Sequence, residues 1–238
     1  RAVHIATPGS MGLSGRNLAS KHGVPLVGSY HTHLADYTAL RARPVRGILR
    51  NMTWSFLKWF YKPCSIVVCP TEAISKELIE RGFKNPFGVF TRGIDTDFYT
   101  PLRRTLPDGS PTTVLYVGRL APEKSVGLIP DIVNGLNVQT VVVGDGPERG
   151  SLERRLKNAV FTGYCHGDQL ANAYANADIL LFPSTTDTFG NVVLEAMSSG
   201  VVPIVADACG PRDYVTHGEN AMVCKNVSEM RAAVEQLS

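Results

Sequence analysis

Short runs of aliphatic and β-branched residues alternate along this chain with longer segments whose apolar positions recur every three or four residues. The short runs predict strands at Val3–Ala6, Pro25–Tyr30, Ile66–Pro70 and Phe87–Thr91. Further on they predict Thr113–Val117, Thr140–Val143, Val160–Gly163, Ile179–Phe182 and Val202–Ala206. Helices are expected between them, at Met11–His22, Val45–Tyr61, Glu72–Arg81 and onward to Ser228–Leu237. Runs such as Val141-Val142-Val143 lack polar alternation, which suits strands buried on both faces of a parallel sheet. The regular alternation therefore predicts an α/β fold of doubly wound parallel sheets. Residues 100–112 include Pro101, Pro107, Gly109 and Pro111, the composition of a linker, so two domains are expected, 1–104 and 105–238.

Composition narrows the class. The chain has 238 residues, 44% of them hydrophobic, and a formal charge of +3. No apolar run approaches the roughly 20 residues that span a bilayer. Charge is uneven: residues 1–100 carry 13 basic and 6 acidic side chains, the remainder 11 and 15. The two halves thus expect different partners. Five scattered cysteines, Cys64, Cys69, Cys165, Cys209 and Cys224, lack zinc-site spacing and read as reduced, buried thiols of an intracellular protein. The sequons at Asn51 and Asn226 read as chance. The chain opens in an interior strand without Met, so the expectation is that a larger protein's N-terminal part precedes it and the first domain is incomplete.

Chemistry concentrates in Phe182–Gly200. An apolar strand ends in a polar loop with Asp187, Phe189 and Gly190, and a helix follows with Asn191, Val192 and Glu195. The first turn of a helix offers unsatisfied N–H groups and a favourable dipole to an anion. Asn191 and Glu195 share one helix face. A diphosphate at the helix start with hydroxyls beside it suits this layout, as in a nucleotide-sugar; the plainer alternative is that Asp187 caps the helix. After the strand ending at Val117 come Gly118, Arg119 and Lys124, cations that could clamp a diphosphate or pair at the surface with Glu123. Gly163-Tyr164 after another strand is either a ligand contact or a turn. His31 and His33 lie close enough to suggest a metal, but no third ligand is evident. Asp95-Thr96-Asp97 could hold a divalent cation, though one carboxylate pair in a loop is weak support and a structural turn is preferred. Gly9, Gly12 and Gly15 lack dinucleotide-loop spacing and read as a tight strand-to-helix turn.

These motifs resemble glycosyltransferase family 4, the retaining enzymes of the GT-B fold. Asp187-x7-Glu195 is similar to the family's Glu-x7-Glu signature, with Asp in the first position, one methylene shorter. Val117-Gly-Arg-Leu-x-x-Glu-Lys124 resembles its phosphate motif, and Tyr30-His-Thr32 its aromatic-His-Thr motif. Gly144-Asp-Gly-Pro147 is also similar and reads as loop shaping. The resemblance implies two Rossmann-like domains and a nucleoside-diphosphate sugar donor, UDP-sugar or GDP-mannose, with no metal. It implies that Arg119, Lys124 and the amides near Gly190, Asn191 and Val192 hold the diphosphate. Glu195 would take the ribose, Asp187 and His31 the sugar, and Gly118, Gly163, Tyr164 and Phe189 would line the donor site. Within the family the runs are most similar to glycolipid-making sulfoquinovosyl- and mannosyltransferases.

Residues 41–62 agree with a lipid acceptor. They hold Arg41, Arg43, Arg46, Arg50, Lys58 and Lys62, no acid, and Trp54, Phe56, Leu57, Trp59, Phe60 and Tyr61. Basic and aromatic residues on one helix suit an anionic membrane surface; the alternative is aromatic core and solvated charge. Nucleic acid is not expected, since no nucleic-acid fold signature accompanies the charges. The expectation is a transferase of the cytoplasm or an organelle stroma, peripherally bound to a membrane. Two other readings stay open, an inactive nucleotide-sugar-binding fragment and a glycoside hydrolase using the two carboxylates.

Overall fold

A computed structural model describes residues 1–41, 46–107, 109–208 and 210–238, with the side chains of 39–41 and 46 left aside. The side-chain expectations for Arg41, Arg43, Arg46 and Cys209 lie outside the described residues. The chain forms two compact units, Arg1–Arg92 with Thr186–Phe189, and Gly93–Thr185 with Gly190–Ser238.

In the first unit four parallel strands, β1 (Val3–Ile5), β2 (Leu26–Ser29), β3 (Ile66–Cys69) and β4 (Phe87–Val89), pair in chain order. They alternate with α1 (Ser10–His22), α2 (Leu34–Arg41), α3 (Arg46–Tyr61) and α4 (Glu72–Glu80). The glycines of α1 serve packing: a Cβ at Gly12 would overlap the Thr7 carbonyl oxygen, and one at Gly15 would lie 2.7 Å from Ile5 Cγ2. α3 buries Trp54, Leu57, Phe60 and Tyr61, and the Tyr61 hydroxyl donates to the Ser29 carbonyl at 2.8 Å. Cys64 and Cys69 are buried and free, and burial pushes their thiols up to about 11 and about 12. Neither α2 nor the later strand β10 is foreseen from the sequence: α2 has two turns and, among its described side chains, one fully buried residue, Ala35, and β10 is three residues long.

The second unit contains β5 (Thr113–Val117), α5 (Ile129–Val133), β6 (Gln139–Val143), α6 (Arg149–Arg155), β7 (Val160–Gly163) and α7 (Asp168–Ala175). It continues through β8 (Ile179–Phe182), α8 (Asn191–Ser198), β9 (Val202–Ala206), β10 (Met222–Cys224) and α9 (Val227–Leu237). All six strands are parallel, in the order β10-β9-β8-β5-β6-β7. Successive residues of a strand point to opposite faces. Val114 and Tyr116 of β5 and Ile179 and Leu181 of β8 enter one core with Ile132, Leu152 and Val234. Leu115, Leu180 and Phe182 enter the other with Tyr174, Val193 and Ala196. Two buried faces explain the uninterrupted apolar runs. The turn-rich stretch after Thr100 is held on this unit. Asn176 Oδ1 accepts from the amides of Thr105 and Leu106, and Arg104 pairs with Asp178 at 2.9 Å. Asn226 caps α9, its side chain accepting from the Glu229 amide.

Candidate functional site

The strand order of the second unit places its site. The chain runs outward from β5 through β6 and β7, then returns to β8 on the other side of β5. Where the order reverses, helices leave the sheet on opposite faces and a crevice opens at the carboxyl ends of the strands. Here those ends are Gly118-Arg119 after β5 and Pro183 onward after β8, two of the segments singled out above.

The β5 loop is shaped by the loop after β6. The Gly118 amide donates to Val143 O at 3.0 Å, the Leu120 amide to Asp145 O at 2.9 Å, and the Tyr116 hydroxyl to Arg119 O at 3.0 Å. Backbone meets backbone so closely that a Cβ at Gly144 would overlap Gly118 O, and one at Gly146 would overlap Leu120 O. The glycines of Gly144-Asp-Gly-Pro147 therefore shape the loop. The Asp145 side chain is occupied within the same loop. The Gly146 amide, at 2.7 Å, and Arg149, at 3.0 Å, hold its carboxyl below the ordinary value. With its backbone fixed, the Arg119 side chain is exposed and makes no ion pair among the described residues. Lys124 ends the 3₁₀ turn Pro122–Lys124 and is half-buried, while Glu123 is buried at 3% exposure and no surface residue.

At the other segment Gly190 adopts φ 82° ahead of α8, a conformation that favours glycine. A Cβ there would stand 3.0 Å from Pro211 Cγ, and Tyr214 donates its hydroxyl to Gly190 O at 2.9 Å. The N-cap of α8 is Gly190, which has no side chain to cap the helix, and the first-turn amides of Asn191 and Val192 belong to the N–H groups that a helix does not satisfy internally. Glu195 lies one turn further, half-buried. Its Oε2 accepts the Tyr174 hydroxyl at 2.7 Å. Burial raises the Glu195 carboxyl above its ordinary value and the Tyr174 hydrogen bond opposes that rise. The Tyr99 ring meets Tyr174 edge-on at 5.7 Å, and Ser198 donates to Tyr99 O at 2.5 Å. Neither tyrosine is foreseen from the sequence: Tyr174 sits 21 residues before Glu195, on another helix, with no local signature. After β7, Gly163 O accepts the Gly144 amide at 2.7 Å, and Tyr164 is 66% exposed with its ring stacked on His166 at 6.5 Å.

The remaining candidates belong to the first unit. Thr188 Oγ1 donates to His31 O at 2.7 Å, so the segment with Asp187 and buried Phe189 stands beside His31. His31 lines a cavity of about 280 Å³ at the carboxyl ends of β1 and β2, with Thr7, Gly9, Tyr30, Leu57 and Tyr61. Its Nδ1 is buried without a hydrogen-bond partner among the described residues. Burial, then Arg92 and His4, lower its pKa below 6.5, which keeps the ring neutral at pH 7. His33 is different: 2% exposed, it lies between Asp36 at 3.7 Å and Glu77 at 3.8 Å, each joined to an arginine, Arg50 or Arg81. No group of three or more His, Cys, Asp or Glu able to hold a metal occurs among the described residues. Asp95 Oδ1 accepts from the amides of Asp97, at 3.1 Å, and Phe98, at 2.9 Å, which makes this pair a turn.

α3 divides between the two readings offered for it. One line of side chains is core, as described. Another, Ile48, Met52, Ser55, Trp59 and Lys62, follows helical spacing and is exposed, Ile48 at 66%, Met52 at 62% and Trp59 at 52%. Arg16 of α1 lies 4.1 Å over the Trp59 ring and donates to the Trp59 and Phe60 carbonyls. No helix among the described residues is long and apolar enough to cross a membrane.

Comparison with known proteins places these features in a family. Residues 111–238 match the family model of glycosyl transferases group 1, and residues 1–98 that of glycosyltransferase family 4. A GDP-mannose-dependent alpha-mannosyltransferase of Mycobacterium tuberculosis is 34% identical over 221 residues, covering 90% of this chain and 57% of the relative. A sulfoquinovosyl transferase of Arabidopsis thaliana is 34% identical over 226 residues, covering 90% and 44%. The chain thus spans about half the length of the curated relatives it matches. The structure of Anabaena HepE in complex with UDP and glucose superposes with a TM-score of 0.77 at 19% identity, over 98% of this chain and 67% of that one, a likeness of fold.

Proposed function

Because the chain belongs to glycosyltransferase family 4, with the family's GT-B arrangement of two parallel α/β units, we propose that its protein transfers a sugar with retention from a nucleoside diphosphate to a lipid acceptor. The observation that carries this reading is the strand reversal between β5 and β8, which gathers Arg119 and the glycine-led start of α8 at the carboxyl ends of neighbouring strands. An exposed guanidinium, Lys124 and the Asn191 and Val192 amides suit a diphosphate, in the ground state and as it leaves. Glu195 accepts the ribose hydroxyls and Gly163-Tyr164 lies along the base. Asp187 and neutral His31 hydrogen-bond the sugar; an uncharged imidazole can donate and accept at once. Gly118 and Phe189 complete the donor lining. Residues 105–238 form the donor side and residues 1–104 the acceptor side. The donor is a UDP-sugar, as the fold relative bound to UDP suggests, or GDP-mannose, as the mannosyltransferase's name suggests.

Thermal unfolding with UDP, GDP and their sugar conjugates tests the donor. At a hundredfold excess over Kd a ligand stabilises the folded state by about 2.7 kcal/mol. For a chain of this size that raises Tm by about 5–10 °C. A rise with UDP alone assigns a UDP-sugar and one with GDP alone GDP-mannose; no rise with any removes the donor reading.

The lipid acceptor rests on α3. An exposed line of Ile48, Met52 and Trp59, flanked by Lys58, Lys62 and Arg16 and by no acid on α1 or α3, suits the interface of an anionic bilayer at a cytoplasmic or stromal face. Trp59→Ser is expected to weaken binding to phosphatidylglycerol-containing vesicles about tenfold, since a buried large side chain is worth about 1.5–3 kcal/mol. Equal sedimentation of wild type and variant would count against this surface.

A further inference from the structure

We propose that Tyr174 is a positioning residue that orients the Glu195 carboxylate toward the ribose of the donor. The inference rests on the ribose role given to Glu195 above. A glutamate on the second turn of α8 has three rotatable bonds, and a carboxylate prefers water to the half-buried place this one occupies. Among the described residues one donor meets it, the Tyr174 hydroxyl at 2.7 Å on Oε2. That bond leaves Oε1 as an acceptor for a ligand hydroxyl.

Tyr174 is itself fixed. It is fully buried among Leu115, Leu180, Val193 and Ala196, and its ring meets Tyr99 edge-on. Tyr99 is gripped twice, by its amide donating to Asp95 O at 2.9 Å and by its carbonyl accepting from Ser198. Ser198 stands three residues after Glu195 on α8, so the Tyr99 segment and α7 together hold this helix face. The turn built on Asp95 thereby sets Tyr99, which backs Tyr174, which aims Glu195.

Tyr174→Phe keeps the ring and its packing and removes one hydroxyl. Binding of UDP, GDP and their 2′,3′-dideoxy counterparts is measured by calorimetry on wild type, Tyr174→Phe and Glu195→Ala. Wild type is expected to prefer the ribose forms. Tyr174→Phe should lose about tenfold for the ribose forms, the scale of one hydrogen bond to a charged group, and nothing for the dideoxy forms. An equal loss for both forms, as a purely structural role requires, or no loss for either, overturns the proposal. Glu195→Ala separates the two claims: if it still prefers ribose, the ribose reading itself falls, whereas if it has lost that preference and Tyr174→Phe has not, only the positioning role falls.

Discussion

Gly144→Ala will destabilise the second unit by about 3 kcal/mol or more, lower Tm by about 6–12 °C and abolish nucleotide-dependent stabilisation. Two effects add. Gly144 has φ 126°, outside the range of L side chains, and its Cβ would overlap the Gly118 carbonyl oxygen. That oxygen cannot yield without the β5 loop, because the Gly118 amide is tied to Val143 and the Leu120 amide to Asp145. The loop presents Arg119, so the strain falls on the segment assigned to the diphosphate. Gly218→Ala is the control: φ is 79° there and nothing lies within 4 Å of the added carbon. It should cost only about 1–2 kcal/mol, the penalty of left-handed backbone, and leave nucleotide binding intact. Similar Tm losses in the two variants, or a Gly144→Ala protein that still responds to UDP or GDP, would remove the coupling between these loops.

What could be read in advance follows from how local each cause is. β5, β8 and β9 have the bounds expected of them, because strands buried on both faces leave continuous apolar runs with polar or glycine ends, and the edge strand β7 has them too, its short Val160-Phe161-Thr162 run closed by Gly163. The glycine loop after β6 was legible as a shaping element for a similar reason: glycine at alternate positions marks close backbone approach wherever the partner lies. β10 was not legible, since three residues at a sheet edge carry almost no pattern. α3 was legible only in part. Its basic and aromatic content shows in the composition, but the separation of Trp54 and Phe60 from Trp59 depends on which face meets the sheet. Tyr174 and Tyr99 were invisible because their link to Glu195 arises from packing across 21 and 96 residues. Motif spacing names the residue that touches a ligand; the residue that aims it is chosen by tertiary contact.

Glu195→Ala will weaken binding of UDP or GDP by about a hundredfold, equivalent to about 2.7 kcal/mol, with the fold intact. Hydrogen bonds to a charged acceptor are worth about 1.5–3 kcal/mol each, and a ribose offers two hydroxyls. Removing the carboxylate relieves a desolvated charge while leaving the Tyr174 hydroxyl without its acceptor, so the opposing terms leave stability little changed. The charge has its own signature. Burial raises the Glu195 pKa above 4.5 in the folded chain. As pH rises, the unfolded chain releases this proton first, so wild type is stabilised below the ordinary carboxylate range and loses that stability as pH climbs through the folded value. Glu195→Gln keeps an acceptor for Tyr174 and has no proton to lose. Its Tm should match wild type in acid and exceed it increasingly toward neutrality, by calorimetry across that range. A difference that stays constant with pH would show that Glu195 is not a buried ionised acceptor, and unchanged UDP and GDP affinity in Glu195→Ala would remove it from the ribose. The two results together describe a site that accepts lower stability at neutral pH in order to keep an ionised carboxylate, held by Tyr174, where a ribose can reach it.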